Sequence, residues 1–316
     1  SKYFSGNCYV RLYHVKDDEV VVGDTSGSYH VDPAPTPTPT PDVFSGKCGD
    51  NLTWKLKENN SQQGYYDLTI SGSGPMYDYG YDENYVEHKT PWNEALTKIG
   101  KSYALRSVTI QDGITGIGNR AFYDANPKIT TFALPDSVTE IGDEAFVNSK
   151  FTGTLNLSHI KKIGKSAFYR SKFSAVVFQN GSGLKEIPEN CFYGCENLAG
   201  TINIPAGVKK IGNSAFTFLE EKNINRTVTL PDSLEEIGDY VFRNNTGLTG
   251  VTPLFPAGMK KVGRGAFENC RNMAGELTFP EEIALKTYTF HNCASLTGHL
   301  TIPAGFWNGD TTSYND

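Results

Sequence analysis

The segment Tyr77-Asp78-Tyr79-Gly80-Tyr81-Asp82-Glu83-Asn84-Tyr85 holds four tyrosines and three carboxylates in nine residues. That density suits recognition rather than catalysis. Tyrosine offers rigid, amphipathic contact area at low entropy cost, as in antibody paratopes. Tyr77, Asp78, Tyr79, Tyr81, Asp82, Glu83 and Tyr85 are therefore the candidate ligand-binding residues. The carboxylates do not have the spacing of an EF-hand. The competing reading is a capping loop whose aromatic rings cover the end of a repeat scaffold. The remaining reactive side chains form no constellation. His14, His30, His88, His159, His291 and His299 have no metal-ligand spacing and sit in no H-E-x-x-H motif. Cys191 and Cys195 are not a C-x-x-C pair, and no second half follows. Ser71-Gly72-Ser73-Gly74 runs into Pro75, which is wrong for a phosphate-cradling helix. The expectation is a protein that is not an enzyme and uses no metal and no cofactor.

Composition restricts what can position these residues. Of 316 residues, 38% are hydrophobic and 20% charged, and 32 glycines and 16 prolines make the chain turn-rich. This excludes a helical bundle, a coiled coil and a wholly disordered chain. A net charge of −6 gives no basic surplus for nucleic acid. No apolar run is long enough for a transmembrane helix. Residues 33–41 read Pro-Ala-Pro-Thr-Pro-Thr-Pro-Thr-Pro, an extended polyproline II spacer of the kind that joins extracellular modules. The start at Ser1-Lys2-Tyr3, without Met, is expected of a mature or excised piece of a longer precursor. Cys8 and Cys48 flank the spacer. A disulfide between them would close a loop of about 41 residues and stabilise by roughly 4 kcal/mol; two unrelated buried thiols are the equal alternative.

Self-similarity decides the architecture. The unit Ile117-Gly118-x-x-Ala121-Phe122 returns at Ile141, Ile163, Ile187, Ile211, Ile237, Val262 and Leu285, at steps of 22 to 26 residues. Its Phe positions are Phe122, Phe146, Phe168, Phe192, Phe216, Phe242, Phe267 and Phe290. Each unit also carries an apolar-x-apolar strand that usually ends at Pro, such as Ile202-Asn203-Ile204-Pro205. One unit cannot bury its own Ile and Phe, but stacked units can. Nine strands counted from Val108 predict nine coils, a rod of roughly 40 Å at the parallel-strand spacing. The Gly after Ile is expected at a tight bend, and Ala-Phe in a short helical turn with Phe as the core wedge. Cys195, Cys270 and Cys293, three residues after Phe, are expected in the core, with Cys270 and Cys293 within disulfide reach on adjacent coils.

The pattern Ile-Gly-x-x-Ala-Phe-x-x-Cys followed by a strand ending Ile-Pro resembles the BspA-type bacterial leucine-rich repeat. Gly46-Lys47-Cys48-Gly49-Asp50-Asn51-Leu52-Thr53-Trp54, Leu68 to Met76 and Pro91-Trp92 are similar to the module that precedes such repeats. The resemblance covers about 45–305. It implies an extracellular right-handed solenoid that attaches cells to host proteins or other bacteria and has no shared catalytic residues.

The expected organisation is therefore a short β segment at 1–32, a Thr-Pro linker at 33–43, a β-hairpin cap at 44–104, the repeats at 105–305 and a tail or truncated cap at 306–316. The fold class is a mainly β leucine-rich-repeat solenoid. Its expected function is non-catalytic adhesion at the cell surface, with a protein ligand. Glycan capture through the tyrosine loop is one alternative. Self-assembly, with residues 1–32 donating a strand to a neighbouring chain, is another. The charged pairs Lys209-Lys210, Glu235-Glu236 and Lys260-Lys261 alternate in sign on adjacent units, which reads as a solvated ladder.

Overall fold

Alternation in the cap places Leu52, Trp54 and Leu56 on one face and Thr53, Lys55 and Lys57 on the other, and the first three are buried. The computed structural model describes residues 13–16, 19–22, 43–81, 83–219, 224–277, 279 and 283–297. Two compact units divide at Thr40 and Pro41. In the first, β1 (Tyr13–Lys16) and β2 (Glu19–Val22) form an antiparallel pair, with Tyr13 opposite Val22. Cys8, the Thr-Pro tract, the expected ninth strand at Leu300–Ile302 and the tail lie outside the described residues.

In the second unit, β3 (Val43–Gly49), β4 (Leu52–Asn59) and β5 (Gln62–Gly72) form an antiparallel meander. The short strands β6 (Gly74–Pro75), β7 (Gly80–Tyr81) and β8 (Glu87–His88) follow, then helix α1 (Pro91–Lys98). Pro91 opens α1 at a position where its missing N–H costs nothing. Trp92 and Leu96, four residues apart, form the buried face of the helix. The first repeat strand, β9 (Leu105–Ile110), pairs in parallel with β5, Leu68 against Val108 and Ile70 against Ile110. The cap sheet thus continues into the solenoid.

From there the chain winds as a mainly β solenoid with very little helix. Its eight Phe rings form a column in which successive centroids lie 5.1 to 5.6 Å apart and stack nearly parallel. The column spans seven steps, so the described coils number about seven turns and not the nine expected. Each Phe from Phe122 to Phe267 is buried, worth about 1.5–3 kcal/mol apiece. Phe290, on the last described coil, is half-buried.

A row of two-residue strands binds the coils together. Ile117 pairs with Ile141 and Ile141 with Ile163; then Ile187 with Ile211, Ile211 with Ile237 and Ile237 with Val262. The row breaks between Ile163 and Ile187. Elsewhere the residue after Ile donates its N–H to the preceding coil, as Gly164 does to the Ile141 carbonyl at 2.8 Å and Gly212 to that of Ile187 at 2.7 Å. On the coil of Ile187 that residue is Pro188, which has no N–H to give.

The repeat glycine serves close approach, not a bend. A Cβ on Gly164 would lie 2.3 Å from the Asp143 nitrogen, and no L side chain fits there. The left-handed positions lie instead at Arg120 and Asp124 (φ 53° each) and at their equivalents Glu144 and Asn148. The expected short helical turn is a run of turns in which Ala121, Tyr123 and Ala125 donate to Gly118, Arg120 and Phe122. The alternate residues Arg120, Phe122 and Asp124 donate to Asp143, Ala145 and Val147 of the next coil. Of the expected strand row, Phe132–Leu134 is not a strand; only an isolated bridge joins Thr131 to Thr152.

Candidate functional site

The tyrosine loop divides into a part that builds the solenoid and a part that leaves it. Its first half copies a repeat. Gly74 and Pro75 pair with Ile114 and Gly116, and Met76 donates to the Gly116 carbonyl at 3.0 Å. The Tyr79 N–H donates to the Asn119 carbonyl at 2.9 Å. Asp78 accepts from the Asn119 N–H at 2.8 Å, just as Asn119 accepts from Asp143 and Asp143 from Lys165 one coil further on. Tyr79 turns inward, its ring edge-on to Trp92 at 5.6 Å, and burial raises its phenol above the ordinary range. Tyr77 lies at the margin, 44% exposed, donating to Asp50 at 3.1 Å.

The second half is the small hairpin of β7 and β8, Gly80 against His88 and Tyr81 against Glu87. Tyr81 is 61% and Tyr85 87% exposed, Tyr85 with φ 60° at the tip, and Glu83 is exposed beside them. Asp82 lies outside the described residues. Arg120 anchors the hairpin to the first coil. Its guanidinium lies 5.7 Å from the Tyr81 ring and 4.3 Å from that of Tyr123, and it pairs with Glu144 at 3.4 Å. Of the seven candidate residues, the structure therefore leaves Tyr81, Glu83 and Tyr85 presented to solvent and uses Asp78 and Tyr79 as repeat parts.

The described thiols are unsuited to nucleophilic chemistry. Cys48, Cys191, Cys195 and Cys270 are free and buried, and Cys293 is free and half-buried. Burial pushes Cys48 and Cys195 up to about 12 and Cys293 to about 11, and holds Cys191 and Cys270 well above the usual value. The Cys8–Cys48 bridge is not a feature of the described residues, since Cys48 is a free thiol and Cys8 lies outside them. Cys270 and Cys293 do not bond to each other. Each thiol at this repeat position donates to the carbonyl of the Phe one coil back: Cys195 to Phe168 at 2.9 Å, Cys270 to Phe242 at 3.1 Å and Cys293 to Phe267 at 3.0 Å.

The charged row is a ladder. Glu235 bonds Lys209 at 2.9 Å and Lys260 at 2.6 Å on the two flanking coils, and Glu236 bonds Lys261 at 2.9 Å. Hydrogen bonds from Lys260 and Lys209 hold the Glu235 carboxyl down at about 2.

A second outward face escaped sequence reasoning. The position after Phe, or two before it, places Tyr123, Tyr169, Tyr193, Tyr240 and Tyr288 along one side of the solenoid. Tyr169 and Tyr193 stack at 4.8 Å with planes 3° apart. Arg170, Arg243 and Arg264 lie over Tyr169, Tyr240 and Tyr288. The signal was present as Phe-Tyr pairs at repeat spacing, a register that a census of the strand face does not sample. Inside, Arg226 is buried and also unforeseen. It donates to the carbonyls of Leu198 at 2.6 Å and Glu196 at 2.9 Å and to Asn245 at 3.2 Å, with its guanidinium 4.0 Å from the Phe218 ring.

With this geometry in view, the family model of the BspA type leucine rich repeat region matches residues 97–221 and 217–308, in 6 copies. Among solved structures, the chain is similar to a leucine-rich repeat protein of T. pallidum, at 28% identity over 39% of this chain, with a TM-score of 0.34. It spans 56% of the length of that protein. It is similar to a leucine-rich repeat protein from Eubacterium ventriosum, at 19% identity over 86% of this chain and 96% of that one, with a TM-score of 0.37. A leucine rich cell surface protein from Faecalibacterium prausnitzii is 18% identical over 80% of this chain and 69% of its own, with a TM-score of 0.42. No curated protein matches the chain.

Proposed function

The chain belongs to the BspA-type leucine-rich repeat family, and on that premise we propose that it is a non-catalytic binding protein of the bacterial cell surface that adheres to host or bacterial proteins. The observation that carries this reading is the hairpin of residues 80–88. Tyr81 and Tyr85 are held out from a rigid scaffold, with Arg120 fixing the hairpin base against the first coil. Rings presented this way lose little freedom on binding, and tyrosine is enriched among residues that dominate interface energetics. Burial keeps the Cys191 and Cys270 thiols protonated, so neither is a ready nucleophile. Among the described residues no helix is long and apolar enough to cross a membrane.

The test is a solid-phase panel of matrix proteins and bacterial surface proteins probed with the whole chain. Saturable binding to a protein that falls about tenfold or more in the Tyr81→Ala, Tyr85→Ala double variant supports the reading. Binding that is indifferent to that double variant moves the site elsewhere on the solenoid, and silence across the panel removes the adhesin reading.

A further inference from the structure

The turn that follows the strand Ala175–Val177 carries the pair Asn180-Gly181, both residues exposed. Among the described residues no other Asn-Gly pair occurs. Ser182 closes the turn by donating to the Gln179 carbonyl at 3.4 Å, and Gly181 has φ 84°, a conformation glycine adopts freely. The Gly181 N–H donates to no described group, and glycine has no side chain to shield its nitrogen. Comparable pairs elsewhere are tied down. Ser149, after Asn148, donates to the Phe146 carbonyl at 3.1 Å, and Ser214, after Asn213, to the Asp239 carbonyl at 2.8 Å. In Asp112-Gly113 the glycine N–H donates to the Ser137 hydroxyl at 3.1 Å.

The side-chain amide of Asn180 is polarised as well. Its Oδ1 accepts from the Ala206 N–H of the next coil at 2.8 Å, within the range at which a backbone donor stabilises a developing oxyanion. The ammonium of Lys185 lies beside the same segment, 3.8 Å from where a Cβ on Gly207 would stand, and a cation there favours negative charge on Oδ1. A free nucleophile and a polarised carbonyl thus meet on adjacent residues.

We propose that Asn180 is a self-modification site, converted through a cyclic imide to aspartate and isoaspartate. The Gly181 nitrogen loses its proton to solvent and bonds to Cγ of Asn180. The Cγ–Nδ2 bond then breaks, and that nitrogen takes up a proton from water and leaves as ammonia. Water next opens the imide. Hydrolysis at Cγ restores the original main chain with a carboxylate in place of the amide, and that carboxylate can keep the Ala206 hydrogen bond. Hydrolysis at the α-carbonyl routes the main chain through the side chain and lengthens the turn by one methylene. One water is consumed and one ammonia released, with nothing oxidised or reduced. Either product adds a negative charge beside Lys185 and leaves the buried columns intact.

Peptide mapping by mass spectrometry tests this on the whole chain, held at mildly alkaline pH and sampled over time, with the urea-unfolded chain as comparator. In the folded chain, the peptide carrying position 180 should gain the mass of an amide-to-acid exchange and split into two products, isoaspartate the larger. It should do so at least about tenfold faster than the peptides of Asn148 and Asn213, whose following N–H groups are released only by local opening. Gly181→Ala should slow the conversion severalfold in both folded and unfolded chains, since the added methyl crowds the attacking nitrogen whatever the fold. A peptide unchanged at position 180 in the folded chain, equal rates at Asn148 and Asn213, aspartate without isoaspartate, or indifference to Gly181→Ala would each overturn the proposal.

Discussion

The indole of Trp92 stacks on the ring of Phe122, with centroids 5.9 Å apart and planes 23° from parallel. Trp92 belongs to the cap helix and Phe122 to the first coil, so the cap supplies the first ring of the column that runs to Phe290. A solenoid's first coil has no predecessor to bury its wedge, and here a helix residue takes that place. Trp92→Ala should cost about 3–5 kcal/mol through the cavity it leaves. Hydrogen exchange should show the loss concentrated in the cap and first coils, because each coil touches only its neighbours. Uniform loss of protection along the whole chain would contradict a nearest-neighbour column.

The thiols should react in an order set by burial. Of the described thiols, an alkylating reagent at neutral pH should modify Cys293 first, as it is half-buried, while Cys48, Cys191, Cys195 and Cys270 wait for the chain to open locally. Mass spectrometry of peptides at successive times reads this directly. Early modification of Cys270 would mean that its hydrogen bond to Phe242 is not maintained in solution.

Arg226 should tolerate no substitution. Arg226→Ala removes three donors and strands the carbonyls of Leu198 and Glu196, a loss of about 3–5 kcal/mol. Arg226→Lys should recover little, since an ammonium lacks the planar fork that reaches all three acceptors. Burial already lowers the guanidinium to about 10. Exchange protection of residues 224–229 in the two variants is the measurement, and near-native protection with Lys would show that a single bond suffices.

The Glu235 carboxyl should titrate at about 2, below its ordinary 4.5. A depressed folded value means that its contribution to stability is present above about 4.5 and is lost as pH falls through about 2. An NMR titration should place the midpoint there and move it upward in Lys260→Ala. High salt should have the same effect, because the group is exposed and its partners are screened. A midpoint near 4.5 in the intact protein would show that the ladder is not populated.

Legibility tracked what repeats. The Ile and Phe columns, the buried position of the cysteines and the alternating sign of Lys209, Glu235 and Lys260 were readable because identical side chains at a fixed spacing can bury themselves only by stacking. Trp92 was not, because it occurs once and reaches its column by way of a helix with no repeat signature. The tyrosine loop read as one unit, but Asp78 and Tyr79 face a repeat edge that takes their hydrogen bonds, while Tyr81 and Tyr85 lie past it.

The amino-acid sequence by itself determined that this chain is a solenoid and which repeated side chains form its core, because periodicity is a property of the chain alone. The tertiary structure decided the rest. Whether Arg226 finds three acceptors and whether a tyrosine turns inward or outward depends on what the neighbouring segments of the fold bring to the same place. For Arg226 those neighbours lie 19 to 30 residues away, at a register set by the backbone hydrogen bonds between coils.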